Sequence, residues 1–295
     1  MKEVLNFKDK RVETLTLEDL ALTIKETSVG REPINGISHT DLFTAIISVF
    51  DNSGLKYEMT PIYATDGGVK HFPGVTLFPD KEEEHGENSI KAHLLRRMIT
   101  SFVIKDGEND IANHSLAISY HQQGIQAAFG PNIKVCSNQC ILGRGMIAQT
   151  YGNGKLDSQK LLEVITGWLK DYNRHRERDM EVLNNMMNYN LHPREVLEVI
   201  GELTAMRVGK DSKKISEINE YALSQNQISN ITEQYLIKYD GKIGRDDIEP
   251  ITLYDFYNMG TNMYKPEHTD LPNIIGRNNL FGKYLIKKFE LEPVD

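Results

Sequence analysis

Apolar and polar positions alternate along residues 115–129, and this period of two predicts β-structure. Two alternating runs flank Gly124, which predicts a β-hairpin with Gly124 at its turn. The apolar positions of the two runs are Leu116, Ile118 and Tyr120, and then Ile125, Ala127 and Phe129. Gly130-Pro131-Asn132 predicts the next turn, and residues 133–136 predict a short third strand.

Closer to the start of the chain, the spacing of apolar residues is helical. Ser38 to Asp41 has the form of a capping box, and the apolar face that follows ends at Gly54, so we expect a helix there. Thr16 to Asp19 predicts a shorter helix in the same way. Leu55 to Thr65 is expected to be one strand and Thr100 to Lys105 another.

Beyond Gly154 the apolar residues recur at helical spacing almost to the end, and Pro193 suits the first turn of one of these helices. The sequence therefore predicts an α+β fold. Residues 1–154 would form a domain with an antiparallel sheet and the β-hairpin, and residues 155–295 a mainly helical region packed on it.

Composition narrows the class of protein. The 295 residues are 39% hydrophobic and 26% charged, which suits a folded core. No apolar run approaches the roughly 20 residues that cross a bilayer, and the first residues lack the apolar segment of a signal peptide. We therefore expect a cytoplasmic protein without membrane contact. The net charge of −8 argues against a dedicated duplex-DNA binder.

The two cysteines, Cys136 and Cys140, lie shortly after His121. A zinc site would need more N or S ligands than this stretch offers, and a catalytic thiol would need an adjacent base in an exposed setting. The third interpretation is structural: Cys136 is reduced and buried at the end of a strand, Asn138 caps the following turn, and His121 satisfies backbone groups at the hairpin tip. We expect neither a metal nor another cofactor.

Two other stretches do not match a known functional motif. The glycine-rich stretches 143–145 and 152–154 lack the spacing of a nucleotide-binding loop. Residues 173–179 form a mixed charge run on a predicted helix, for which a solvated face is the expected interpretation.

Three motifs occur in a familiar order: SYHQQG from Ser119 to Gly124, VCSN from Val135 to Asn138, and LYDFYNMGTNMYK from Leu253. In these motifs the chain resembles the phage/plasmid-like protein family, known as domain of unknown function 932. Here Gln122 replaces the aspartate that usually follows the histidine. The resemblance implies a mobile-element origin, a role near DNA metabolism or host defence, and structural roles for His121, Gly124, Cys136 and Asn138.

Two hypotheses about function follow. The first is a non-enzymatic accessory protein that binds or anneals single-stranded DNA in recombination and self-associates into a homo-oligomer. Its binding residues would be Lys91, Arg96 and Arg97, which precede a strand, and then Arg174 and Arg176 on a helix. The second is a protein-binding module, such as an inhibitor of a host defence factor or a phage assembly component, which suits the net acidity. A hydrolase or nuclease is disfavoured because no carboxylate cluster suits two metal ions.

Overall fold

The structure is a computed structural model that describes residues 12–22, 37–66, 95–105, 112–121, 124–133, 147–148, 158–208, 225–238, 249–262 and 274–291. The strands are β1 Val12–Leu15, β2 Tyr57–Met59, β3 Ile62–Asp66, β4 Leu95–Ile104, β5 Ala112–His121, β6 Gly124–Ile133, β7 Ile147–Ala148, β8 Asn190–Leu191 and β9 Ile251–Thr252. The helices are α1 Leu17–Leu22, α2 His39–Ser53, α3 Ser158–Lys170, α4 Tyr172–Asn188, α5 Pro193–Val208, α6 Gln225–Lys238, α7 Leu253–Thr261 and α8 Ile274–Lys288.

An antiparallel sheet occupies the N-terminal half, in the order β1-β3-β4-β5-β6-β7, and β2 pairs with β4 beside β3. Its longest pairing is the hairpin of β5 and β6, which starts at His121 opposite Gly124 and continues to Ala112 opposite Ile133. After residue 158 the described chain is mostly helical. The predicted α+β class and the predicted hairpin are therefore confirmed.

Three local predictions for the strands were wrong. Gly130-Pro131-Asn132 is not a turn but lies inside β6, because these residues pair with Ser115, His114 and Asn113 of β5. Proline is tolerated there since the described pairing of β6 with β7 is confined to Gln126 and Ala127, away from Pro131. A separate prediction, the third strand at 133–136, is not tested, because only Ile133, the last residue of β6, lies within the described ranges.

The other two wrong predictions concern where the strands begin and end. Strand β4 starts at Leu95 rather than at Thr100, so Arg96 and Arg97 lie within the sheet instead of preceding it. The single strand expected from Leu55 is divided into β2 and β3, because Pro61 has no backbone N–H to donate to the ladder. Thr60, beside it, is held to β4 by a hydrogen bond from its backbone N–H to the carbonyl of Ser101.

The helix starts follow the predicted caps. The Ser38 side chain accepts a hydrogen bond from the backbone N–H of Asp41, and Gly54 ends α2 in the left-handed conformation at φ 75°. At α1, Thr16 and Asp19 bond reciprocally as a capping box does.

The first core lies between one face of the sheet and the helices α2 and α3. Alternate residues of β3 to β6 point to this face, and the helices contribute residues three or four positions apart. Its buried members include Phe43, Phe50, Phe102, Leu116, Tyr120, Phe129, Ile165 and Tyr172.

The second core is built by the helices after α3. It contains the C-terminal part of α4 together with buried side chains of α5, α6, α7 and α8 and of the β8–β9 pair. Ala112, the first residue of β5, also packs into this core. Helix α4 thus contributes to both cores, through Tyr172 to the first and through Leu183 and Met186 to the second.

Candidate functional site

Several residues singled out in the sequence meet at the end of the sheet where the β5–β6 hairpin turns. Strands β4 and β5 are in register with Met98 opposite Tyr120. Because the strands are antiparallel, the next residues outward from this pair are Arg97 on β4 and His121 on β5. His121 in turn pairs with Gly124 across the hairpin. We call these positions, Arg96, Arg97, His121 and Gly124, the hairpin end.

Strand β4 contains a β-bulge at the same place. On β3, Thr65 pairs with Arg97 and the adjacent Asp66 pairs with Leu95, so that Arg96 is the additional residue of β4. A bulge changes the direction in which the neighbouring side chains leave the strand, and bulges are frequent next to functional sites. The backbone therefore presents two adjacent arginines at an irregular point of the ladder.

The N-terminus of α2 is fixed near this end of the sheet by Tyr120. The Tyr120 hydroxyl donates a hydrogen bond of 3.0 Å to the carbonyl of Ile37, just ahead of the Ser38 cap. The His39 ring lies 5.0 Å from the Tyr120 ring, and His39 is buried. Tyr120, which directly precedes His121, therefore connects this end of β5 to the start of α2 on the side of the first core.

The other candidate residues are distributed differently. Lys91, Cys136 and Asn138 lie outside the described residues. Arg174 and Arg176 both lie on α4, but two residues along an α-helix correspond to a separation of roughly 160° around its axis. Arg174 is exposed, and its guanidinium lies 3.3 Å from the carboxylate of Asp171. The two arginines of α4 therefore do not form one continuous basic surface with each other.

The expected solvated face of residues 173–179 was wrong for Asp179, which is 7% exposed. His114 of β5 is 3% exposed, and its Nε2 lies 3.0 Å from a carboxylate oxygen of Asp179. The two groups are within hydrogen-bond distance, and the imidazole nitrogen can donate to the carboxylate when it carries the proton. The pair joins the sheet to α4. Its signal in the sequence is that Asp179 lies seven residues after Tyr172 and four before Leu183, on the buried side of the helix.

An aromatic cluster surrounds this pair. The Tyr172 ring meets the His114 ring edge-on at 5.8 Å, and the Phe129 ring lies 6.2 Å from it. Phe129 also stacks on the half-buried Trp168 of α3 at 5.9 Å and contacts the edge of His175 at 6.1 Å. The C-terminal end of α3 and the start of α4 are thereby fixed on β6.

A charged network joins α5 to α8. Lys288 donates hydrogen bonds to Glu202 at 2.6 Å and to Glu198 at 3.1 Å, and the Tyr284 hydroxyl donates to Glu202 at 2.7 Å. Burial raises the pKa of Glu202, but the hydrogen bonds from Lys288 and Tyr284 outweigh it and hold this pKa below its ordinary value. Burial and the neighbouring carboxylates raise the pKa of Tyr284, so the phenol remains a donor. This arrangement stabilises the packing of two helices.

Within the described ranges, no group of three or more His, Cys, Asp or Glu side chains is placed to hold a metal ion. None of the helices described is both long and apolar enough to span a bilayer. Comparison of the chain with protein-family models, with curated proteins and with solved structures gives no match. The resemblance to the phage/plasmid-like protein family stays a prediction.

Proposed function

We propose that the chain is a non-enzymatic accessory protein of phage or plasmid DNA metabolism that binds single-stranded DNA at the hairpin end. One observation carries this proposal. The register of β4, β5 and β6 brings the Arg96–Arg97 pair beside His121 and Gly124. The two sets were singled out for separate reasons, the arginines for their charge and the hairpin for its resemblance to the family motif.

The distribution of charge favours a single strand over a duplex. The chain has a net charge of −8, and a duplex requires a basic surface that follows many phosphates. A single strand requires a narrower basic groove together with exposed rings on which bases stack. The outer side of α2 is unsuited to phosphate, because the helix includes the exposed Asp41 and Asp51 and has neither Lys nor Arg. We therefore propose that the bound DNA strand lies along β4, β5 and β6 at the hairpin end, and not along α2.

The test is a fluorescence-anisotropy titration of a labelled oligonucleotide, single-stranded and duplex, at low and moderate salt. We expect tighter binding of the single strand, with a salt dependence of about 0.7 in log–log slope for each phosphate neutralised. The variant Arg96→Glu/Arg97→Glu should abolish binding. Its matched control is Arg194→Glu/Lys287→Glu, which makes the same change of charge at exposed positions of α5 and α8.

Charge reversal within β4 can also unfold the sheet, so Arg96→Gln/Arg97→Gln is measured beside it and circular dichroism checks the fold of each variant. Weakened binding by the folded glutamine variant, with the control unchanged, supports the proposal. Absence of binding by the wild type at low salt, or equal losses in the hairpin-end and control variants, contradicts it.

The second candidate, a protein-binding module, is favoured by the pairing of basic groups elsewhere on the described surface. Lys105 lies 3.0 Å from Glu58, and Arg174 and Lys288 also have carboxylate partners. These cations are already partly neutralised, which suits an acidic surface that contacts another protein. Size-exclusion chromatography with light scattering, with and without oligonucleotide, separates the two functions. An oligonucleotide-dependent change in mass supports DNA binding, and an unchanged mass together with no binding favours the module.

A further inference from the structure

The junction of α3 and α4 is a bent but hydrogen-bonded continuation of one helix into the next. The backbone N–H of Asp171 donates to the carbonyl of Gly167, and that of His175 donates to the carbonyl of Asp171, each at 3.0 Å. Asp171 itself departs from the helical conformation, with φ −93° and ψ 16°. Trp168 and His175 nevertheless lie on the same side of the junction, because both contact the Phe129 ring.

Trp168 is the outer member of an ordered stack. Its indole lies parallel to the Phe129 ring, with an interplanar angle of 12° and a centroid separation of 5.9 Å. Phe129 is buried in β6, while Trp168 is only partly buried. A partly exposed aromatic ring that is stacked on a buried one is the type of side chain on which nucleobases stack.

The charged residues on the side of α4 that includes His175 are mixed in sign. Arg174, His175 and Arg178 fall within about 100° of one another around this helix, and His175 contacts the same Phe129 ring as Trp168. The exposed Glu177 and Glu181 border the same side, and Asp171 pairs with Arg174. Phosphate attraction at this surface is consequently weak, and stacking would supply most of the binding free energy.

We propose that Trp168 is a second contact for the bound single strand, at which one base stacks on the indole beside His175. This inference rests on the proposed function. Phe129, on which Trp168 stacks, is five residues along β6 from Gly124, or ~17 Å at the rise of a strand. A strand of several nucleotides can span that distance, and bound lengths of about 4–16 nucleotides are usual for a small single-strand-binding domain.

The protein offers a direct measurement, because Trp168 is its one tryptophan. Oligothymidylate titrated into the full chain should quench the tryptophan emission with the same midpoint as the anisotropy of the labelled oligonucleotide. Trp168→Leu should weaken binding roughly 5- to 150-fold, the equivalent of ~1–3 kcal/mol for one stacked base. Trp168→Phe should retain part of the affinity, because phenylalanine still stacks.

The control variant is Phe289→Leu, which replaces a partly buried aromatic residue of the second core, where Phe289 packs against Tyr189 at 5.0 Å. It should bind as the wild type does. Circular dichroism identifies any variant that has lost its fold, and the quenching experiment on the unaltered chain does not depend on a variant.

The results for the two sites are distinguishable. If anisotropy shows binding but the emission of Trp168 and its quenching by acrylamide are unchanged, the stacking contact is refuted while the proposed function stands. If emission changes but folded Trp168→Leu binds as well as Phe289→Leu, stacking is again refuted. If no oligonucleotide binds at low salt, both proposals fail.

Discussion

The buried pair of His114 and Asp179 gives a quantitative test of how the sheet and the helices are joined. Replacing Asp179 with alanine would leave the imidazole of His114 buried without its partner at 3.0 Å. Removal of one partner of a buried hydrogen bond typically costs about 1–3 kcal/mol, because the remaining polar group stays buried without a partner. We expect Asp179→Ala to reduce the free energy of unfolding by an amount in this range.

The matched control lies on the same helical segment. Asp171 also faces a basic group, Arg174 at 3.3 Å, but both side chains are more than half exposed at 56% and 77%. An exposed pair of this kind contributes about 0–1 kcal/mol. Asp171→Ala should therefore change the free energy of unfolding by no more than about 1 kcal/mol, although it too replaces an aspartate with alanine.

Equilibrium unfolding in urea, followed by far-ultraviolet circular dichroism, gives both values. His114→Ala and the double variant His114→Ala/Asp179→Ala complete a double-mutant cycle, in which the double variant should cost less than the sum of the single ones. Strictly additive costs, or equal costs for Asp179→Ala and Asp171→Ala, would refute the reasoning that burial makes this pair important.

Gly260→Ala should destabilise the protein by about 1–3 kcal/mol in the same assay, because the added Cβ would overlap the Phe281 ring. The control variant Gly201→Ala lies at an exposed helical position with free space, and it should be neutral or stabilising. A stable Gly260→Ala protein would contradict this packing. The contribution of Glu202 should be complete above pH 4.5, its ordinary pKa, and be lost as pH falls through its lower folded value. Unfolding free energies of wild type and Glu202→Gln should therefore converge in acid; a constant difference would exclude this linkage.

The sequence is sufficient to predict those helices and strands whose local pattern agrees with their tertiary contacts. The period of two around Gly124 identifies the hairpin, and the capping residues at Ser38 and Gly54 define α2 to within a residue. Gly130-Pro131 has the composition of a turn, but pairing with β5 outweighs that local preference. Neither residue type carries information about the partner strand, so this error could not be avoided from the pattern alone.

The candidate site was predictable only in part. The charge of Arg96 and Arg97 and the motif around His121 are visible in the sequence, but their adjacency depends on the register of β4 with β5. The charges around Asp179 predict a solvated position, and this prediction is wrong. A helical projection of α4 places it among buried positions, and its partner His114 is 65 residues away in the chain.

Helix α4 packs in both cores, and we therefore expect the two cores to unfold together. Its first residue, Tyr172, packs in one core and Met186 packs in the other, so neither core can lose its order without exposing apolar surface of the same helix. Segments that share buried surface in this way exchange their amide hydrogens together, as one cooperative unit. In native-state hydrogen exchange, the central amides of α4 should be protected to the same extent as those of β5, and both should open only with the whole protein.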